Sequence, residues 1–281
     1  MAIRILTDST SDFTPEEAKQ AGIALVPLHV IFDQEEYLDG VTLNKEEFYQ
    51  KLESTELLPQ TSQPSPNEFL SHFEDAKEAG DDLIVITVSS KLSGTCQSAL
   101  LAKDICEYNR IYIVDSLSVT LGLKCLTQYA LFLKEAGKNA EQIVASLEEA
   151  KHRLKLFAVV DTLKYLKKGG RLSGTAALAG TLLNIKPIIK VEEGLVIMAA
   201  KSRGRNNAYG KIIELMTEEG APDFSLPYQI GYTGVPDTLD AFCNTIQSSF
   251  PLPFTPLTGI GCTVGVHAGP GACGIAYFSK Q

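Results

Sequence analysis

Ser89-Ser90-Lys91-Leu92-Ser93-Gly94-Thr95-Cys96-Gln97-Ser98-Ala99 joins two unlike patterns, and the class of fold turns on that junction. Before it stands Leu83-Ile84-Val85-Ile86-Thr87-Val88, an apolar run without polar alternation, as in a strand buried on both faces. After it, Ala99-Leu100-Leu101-Ala102 opens a helical pattern. The order predicts strand, tight turn, helix. The unpaired N–H groups of a helix's first turn, with hydroxyls beside them, suit an anion. No lysine or arginine lies within Ser93-Gly94-Thr95, so the expected anion is small or singly charged, a carboxylate or phosphate gripped by Ser93. The same residues also read as a serine that caps the following helix.

On either side of this turn, the first half alternates apolar strands and capped helices. Ile3 to Thr7 reads as a buried strand that ends in Asp8-Ser9-Thr10-Ser11-Asp12. Thr14-Pro15-Glu16-Glu17 is a helix start with an N-cap, an early proline and an acidic third position. Ala24 to Phe32 is a strand candidate broken by Pro27. Thr61 and Ser62 precede the capped start at Ser65-Pro66-Asn67-Glu68 and are not needed to cap it, which leaves two hydroxyls in a proline-stiffened loop. Arg110 to Val114 is a further strand, followed by a helix with Leu126, Ala130 and Leu133 on one face. Such alternation predicts a mostly parallel sheet with helices on both faces, whose ligands bind beyond the carboxyl ends of the strands. Asp8, Ser93 and Asp115 all fall at such ends.

From about residue 156 the pattern changes. Phe157-Ala158-Val159-Val160 is a strand, and Gly169-Gly170 breaks a short basic helix and presents Arg171 on a loop. Pro187–Val191 and Leu195–Ala199 read as a hairpin, and residues 262–278 as two strand candidates around a glycine-rich turn that carries His267. The fold class expected is therefore α/β, with an N-terminal domain (residues 1–155) built on a mostly parallel sheet flanked by helices. A C-terminal α+β domain (156–281) follows.

Composition narrows the function. Net charge is −9 and the pI about 5.0, against the basic surface expected of a nucleic-acid binder. No apolar run is long enough to span a bilayer, and the first residues lack a signal-peptide pattern. The six cysteines form no CxxC pair and no metal spacing with histidine, so reduced thiols in a cytoplasmic protein without a metal or other cofactor are expected. Ser93 and His267, with Asp8 or Asp115 as orienter, could serve a hydrolase or acyltransferase. However, Leu92-Ser93-Gly94-Thr95 is not the Gly-x-Ser-x-Gly elbow of esterases. Gly169-Gly170-Arg171 is not a P-loop, and no nucleoside-triphosphate motif is visible.

Taken together, the spaced motifs Asp8–Asp12, Thr61–Pro66, Ser89–Thr95, Val114–Ser116, Asp161–Gly174, Leu183–Pro187 and His267–Ala272 give the whole chain a pattern that resembles the DegV family of bacterial proteins. The resemblance implies a two-domain α/β protein that holds one long-chain fatty acid between its domains and does not itself catalyse. It implies a role as the acyl-carrying subunit of a fatty-acid kinase system. An ATP-dependent kinase subunit would phosphorylate the bound carboxylate, and the acyl phosphate would feed phospholipid synthesis. By the same resemblance Thr61, Ser62 and Ser93, with Gly94 and Thr95, would hold the carboxylate. His267 and the backbone at Gly269 would approach from the second domain, and Arg171 with Lys168 would mark the face that docks the kinase. Two residues depart from the family's pattern: Val266 stands where threonine is usual, and Cys96 where an aromatic is common.

Overall fold

Apolar strands and amphipathic helices do alternate through the first half. The computed structural model describes residues 2–55, 57–174, 184–237, 239–253 and 255–280; of the Leu183–Pro187 motif, Leu183 lies outside them. The chain begins β1 (Ile3–Asp8), α1 (Pro15–Ala21), β2 (Ile23–Val26), β3 (His29–Phe32), β4 (Glu35–Leu38), α2 (Lys45–Ser54), β5 (Gln60–Ser62) and α3 (Pro66–Ala79). Next come β6 (Asp82–Thr87), α4 (Thr95–Cys106), β7 (Ile111–Asp115), α5 (Leu121–Glu135), α6 (Ala140–Ala150) and β8 (Leu154–Val159). Then follow α7 (Lys164–Lys168), β9 (Leu172–Ser173), β10 (Ile185–Glu192), β11 (Leu195–Arg203) and α8 (Arg205–Glu218). The chain closes with β12 (Gln229–Tyr232), α9 (Leu239–Ser249), β13 (Leu257–Gly259), α10 (Cys262–Ala268) and β14 (Cys273–Phe278).

The first sheet is parallel in the order β2-β1-β6-β7. Every residue of β6 is buried, as its unbroken apolar sequence requires. On one face, Phe69, Phe73 and Ala76 of α3 and Ala99 and Ala102 of α4 pack on Leu6, Leu83 and Val85. On the other, Leu126 of α5 and Ile143 and Leu147 of α6 pack on Ile5, Ile84 and Ile86. That second core also takes in Leu156, Ala276 and Phe278, so α5 fills the space between two sheets.

The other large sheet has the order β13-β12-β14-β8-β10-β11-β9. Its strands sort their side chains with period two. Phe157 and Val159 of β8 face a core with Tyr209, Ile212 and Met216 of α8 and Phe242 and Ile246 of α9. Leu156 and Ala158 of the same strand, and Val160 just past its end, face the opposite way, toward the first sheet. The architecture is thus a parallel sheet flanked by helices and a second sheet unit with α8 and α9 on its outer face and α5 between it and the first sheet.

Three local expectations are corrected. Ala24–Phe32 is not one interrupted strand: Pro27 separates β2, in the parallel sheet, from β3, which joins an antiparallel sheet of order β4-β3-β5. Thr61 and Ser62 lie not in a loop but on β5, with Thr61 opposite Val30 and Ser62 opposite His29. The largest correction concerns Cys262–Ala268, which is helix α10 and not a strand. Its β-branched residues Thr263, Val264 and Val266 favour strands only weakly, and tertiary contacts decide. Gly265 packs so closely on α2 that a side chain there would lie 2.5 Å from Phe48 Cε1 and 2.8 Å from Tyr49 Oη.

Overpacking at such a point costs about 1–3 kcal/mol. Gly265→Val is therefore expected to lower the thermal midpoint by several degrees. Gly210→Ala, inside α8 with nothing within 4 Å of the added methyl, is expected to raise it slightly. Calorimetry of the two variants checks both signs.

Candidate functional site

The carboxyl ends of the parallel strands are tied together before they meet any ligand. Asp8, at the end of β1, accepts from Val88 N at 2.7 Å and from Thr10 N and Oγ1 at 3.0 and 2.6 Å. Asp115, at the end of β7, accepts from Ser90 N and Leu117 N, both at 3.1 Å. Ser89 N donates to Ser118 O at 2.8 Å. Asp8 and Asp115 therefore brace loops and do not orient a catalytic base.

Above these loops lies a cavity of about 340 Å³, within the size range of small-molecule sites. Its walls come from both sheets and from α10. Leu156, Ala158, Val160, Ile189, Val191 and Val196 supply an apolar floor, and Leu28, Val88, Leu121 and Ile260 close other sides. Polar groups gather where β5, the Ser93 turn and α10 meet: Thr61, Ser62, Gln63, Ser93, Gly94, Arg171 and His267 all line the cavity there.

Thr61 Oγ1 and His267 Nε2 share a hydrogen bond of 2.9 Å across 206 positions of sequence. His267 Nδ1 is buried without a hydrogen-bond partner among the described residues, and it lies against Gly169, where any side chain would overlap the ring. Withdrawal from water lowers the imidazole pKa from 6.5 to about 4, and the Arg171 guanidinium adds to the effect. The ring is neutral at physiological pH. Arg171 is half-buried, and it joins two loops: its Nε donates to Leu92 O at 3.1 Å and its Nη1 to Gly169 O at 2.6 Å.

Ser93 does not stand at the N-cap position, which Gly94 occupies. Its Oγ is 2.8 Å from Thr95 Oγ1 and accepts from Thr95 N at 3.3 Å. Among the described residues Ser93 forms no hydrogen bond with His267, so the two do not make a nucleophile–base pair. Thr95 and Gly269 are buried behind the cavity wall and do not line it. The Tyr165 ring occupies the space a side chain at Gly269 would need. Lys168 is exposed, outside the cavity.

Sequence reasoning missed Gln63, whose amide lies over Gly94 and donates from Nε2 to Ser98 Oγ at 3.1 Å. It also missed the inward half of Arg171 and the buried hydroxyls of Thr10 and Thr120 on the cavity wall. The bare Gly94 beside a turn was the one available signal for Gln63. Among the described residues no helix is long and apolar enough to cross a membrane, and no cluster of His, Cys, Asp and Glu could hold a metal ion.

Comparison with known proteins adds four findings. The family model for "Uncharacterised protein, DegV family" matches residues 2–280. A DegV domain-containing protein of Caldanaerobacter subterraneus subsp. tengcongensis is 37% identical over 278 residues, 99% of each chain. Among solved structures, a fatty-acid-binding DegV family protein from Thermus thermophilus is 32% identical, with a TM-score of 0.90 over 100% of both chains. DegV of Bacillus subtilis, a fatty acid binding protein, is 31% identical with a TM-score of 0.82 and the same coverage.

Burial raises the carboxyl pKa of Asp8 from 3.8 to about 6 and that of Asp12 from 3.8 to about 7. Between those values the folded chain keeps protons that the unfolded chain has released, so each group makes stability fall as pH rises from about 4 to 7. His267, lowered to about 4, acts oppositely between 4 and 6.5. A tenfold change in proton affinity on folding corresponds to about 1.4 kcal/mol, so two carboxyl groups outweigh one imidazole. Urea unfolding is expected to show higher stability near pH 5 than near pH 7. Asp12→Asn should abolish that difference, because the remaining Asp8 and His267 contributions between pH 5 and 7 oppose each other and nearly cancel.

Proposed function

The chain belongs to the DegV family, and from that premise we propose that it holds one long-chain fatty acid in this cavity and offers the carboxylate to a separate ATP-dependent kinase. The observation that carries the reading is the polarity of the cavity: hydroxyls, the Gln63 amide, a neutral imidazole and Arg171 at one end, aliphatic side chains elsewhere. A buried carboxylate needs several hydrogen bonds to offset its lost hydration. Thr61, Ser62, Ser93 and His267, with the backbone N–H of Gly94 at the N-cap of α4, supply them. The aliphatic floor takes the tail, each buried CH₂ contributing about 0.8 kcal/mol. A long chain thereby offsets the entropy of association and head-group desolvation together, whereas a short acid has too little surface to do so.

The phosphoryl transfer is assigned to the partner. A carboxylate held by neutral donors keeps electron density on its oxygens for attack on a phosphoryl group. Exposed Lys164, Lys167 and Lys168 make a local basic face on an acidic chain, beside the Gly169–Arg171 loop that touches His267. That face suits a docking kinase by charge complementarity. The acyl phosphate so formed would be a precursor for phospholipid synthesis.

Denaturing the purified protein is expected to release about one equivalent of long-chain acid, read by mass spectrometry; recovery of no lipid contradicts the reading. Ser93→Ala and Thr61→Val each remove a hydrogen bond to charge and should weaken binding by roughly tenfold or more. Lys168→Glu should leave the acid bound and depress its phosphorylation by the partner. Because Arg171 also braces the cavity, Lys168 is the cleaner test, and loss of both activities in that variant would sink the docking role.

A further inference from the structure

Helix α10 is held at its start by carboxylates from the other end of the chain. Gly261 N donates to Asp12 Oδ1 at 2.8 Å, Cys262 N to Asp39 Oδ1 at 3.0 Å and Thr263 N to Asp39 Oδ2 at 3.1 Å. Both aspartates are buried. The helix they hold carries His267 in its last turn, and Thr263 and His267, four residues apart, both line the cavity. The other oxygen of Asp12 accepts from Thr120 Oγ1, and Thr120 is also a wall residue. The same two carboxylates thus reach the cavity by two routes.

We infer that Asp12 and Asp39 are positioning residues for the cavity: through α10 they set where His267 meets Thr61 and the ligand carboxylate, and their charge tunes how tightly the acid is held. This rests on the fatty-acid reading above. The charged and titratable groups around Asp12 are Asp39, Asp8 at the end of β1, Lys124 of α5, Tyr49 of α2 and Cys262 of α10. Glu17 of α1 is linked through Lys124, whose Nζ is 2.8 Å from Glu17 Oε2 and 3.3 Å from Asp12 O. Of the groups that touch α10, Asp12 changes charge nearest neutrality, at about 7. When protonated, it accepts more weakly from the helix N–H and must donate where it had accepted from Thr120. The imidazole, at about 4, keeps its charge state across the same range.

The test uses the full chain with ¹⁵N-labelled histidine and hexadecanoic acid as probe. Wild-type affinity is expected to fall about three- to tenfold from pH 8 to pH 6, the scale of a charge–dipole contribution, with the His267 Nε2 shift of the ligand-free protein moving over the same window. Asp12→Asn should flatten both curves. Thr120→Val removes a bond that favours the ionised carboxylate and should move both midpoints to higher pH; if Asp12→Asn fails to fold, this shift decides. Profiles in the variants that match the wild type, or an Nε2 shift that ignores pH between 6 and 8, would overturn the inference. A His267 signal that follows Asp12 in a protein that takes up no hexadecanoic acid would uphold the positioning role and contradict the fatty-acid reading alone.

Discussion

Two buried aspartates receive the N–H groups of Gly261, Cys262 and Thr263 where α10 begins, and the shape of the cavity follows from that junction. Asp12 follows β1 and Asp39 follows β4, whereas α10 lies near the end of the chain. Without the junction the two sheets would still have their own cores, but the wall between them would lack a fixed position. Ser9 Oγ donates to Asp39 Oδ2 at 3.1 Å and accepts from Leu28 N at 3.0 Å. The Asp8–Asp12 motif is therefore a structural brace spanning three sheets, and within it only Thr10 lines the cavity.

The electrostatics of the interior follow from the same arrangement. The Asp39 carboxylate adds to burial in raising the proton affinity of Asp8 and of Asp12, and the nearby Lys124 is 2% exposed. Its ammonium sits 4.8 Å over the Phe13 ring and is shared with Glu17, so it neutralises only part of the cluster. At the ligand end the pattern is reversed. The polar groups there are neutral hydroxyls, the Gln63 amide and an uncharged imidazole, beside one cation, Arg171, whose Nε and Nη1 bond to backbone carbonyls. A ligand that brings one negative charge and a long apolar body complements both halves of that cavity.

Much of this was legible in the sequence because local pattern and tertiary role agreed. The run Leu83–Val88 had to be a buried strand, and Ser93–Thr95 had to open a helix at its carboxyl end. The Glu192–Gly194 turn between two apolar runs had to be a hairpin, which it is in β10 and β11. What was not legible was settled by contacts far apart in the chain. Thr263, Val264 and Val266 look like strand residues, and they are helical because Asp12 and Asp39 receive the N–H groups and because Gly265 fits against Phe48 and Tyr49. Arg171 looks like a surface charge. Only the fold reveals that Leu92 and Gly169 present carbonyls to it. The Thr61–His267 bond joins residues that no local window contains.

If a long-chain acid places its carboxylate between Thr61, Ser93 and His267, the carboxyl carbon itself should report it. The decisive measurement is nuclear magnetic resonance of the protein loaded with hexadecanoic acid ¹³C-labelled at that carbon. One bound resonance is expected, shielded from titration across roughly the ordinary carboxyl range near pH 4–5, with its intensity altered by saturation of the His267 ring protons. A carboxyl signal that titrates as the free acid does, or whose contacts run to the aliphatic floor at Ile189 and Val196, would contradict the placement.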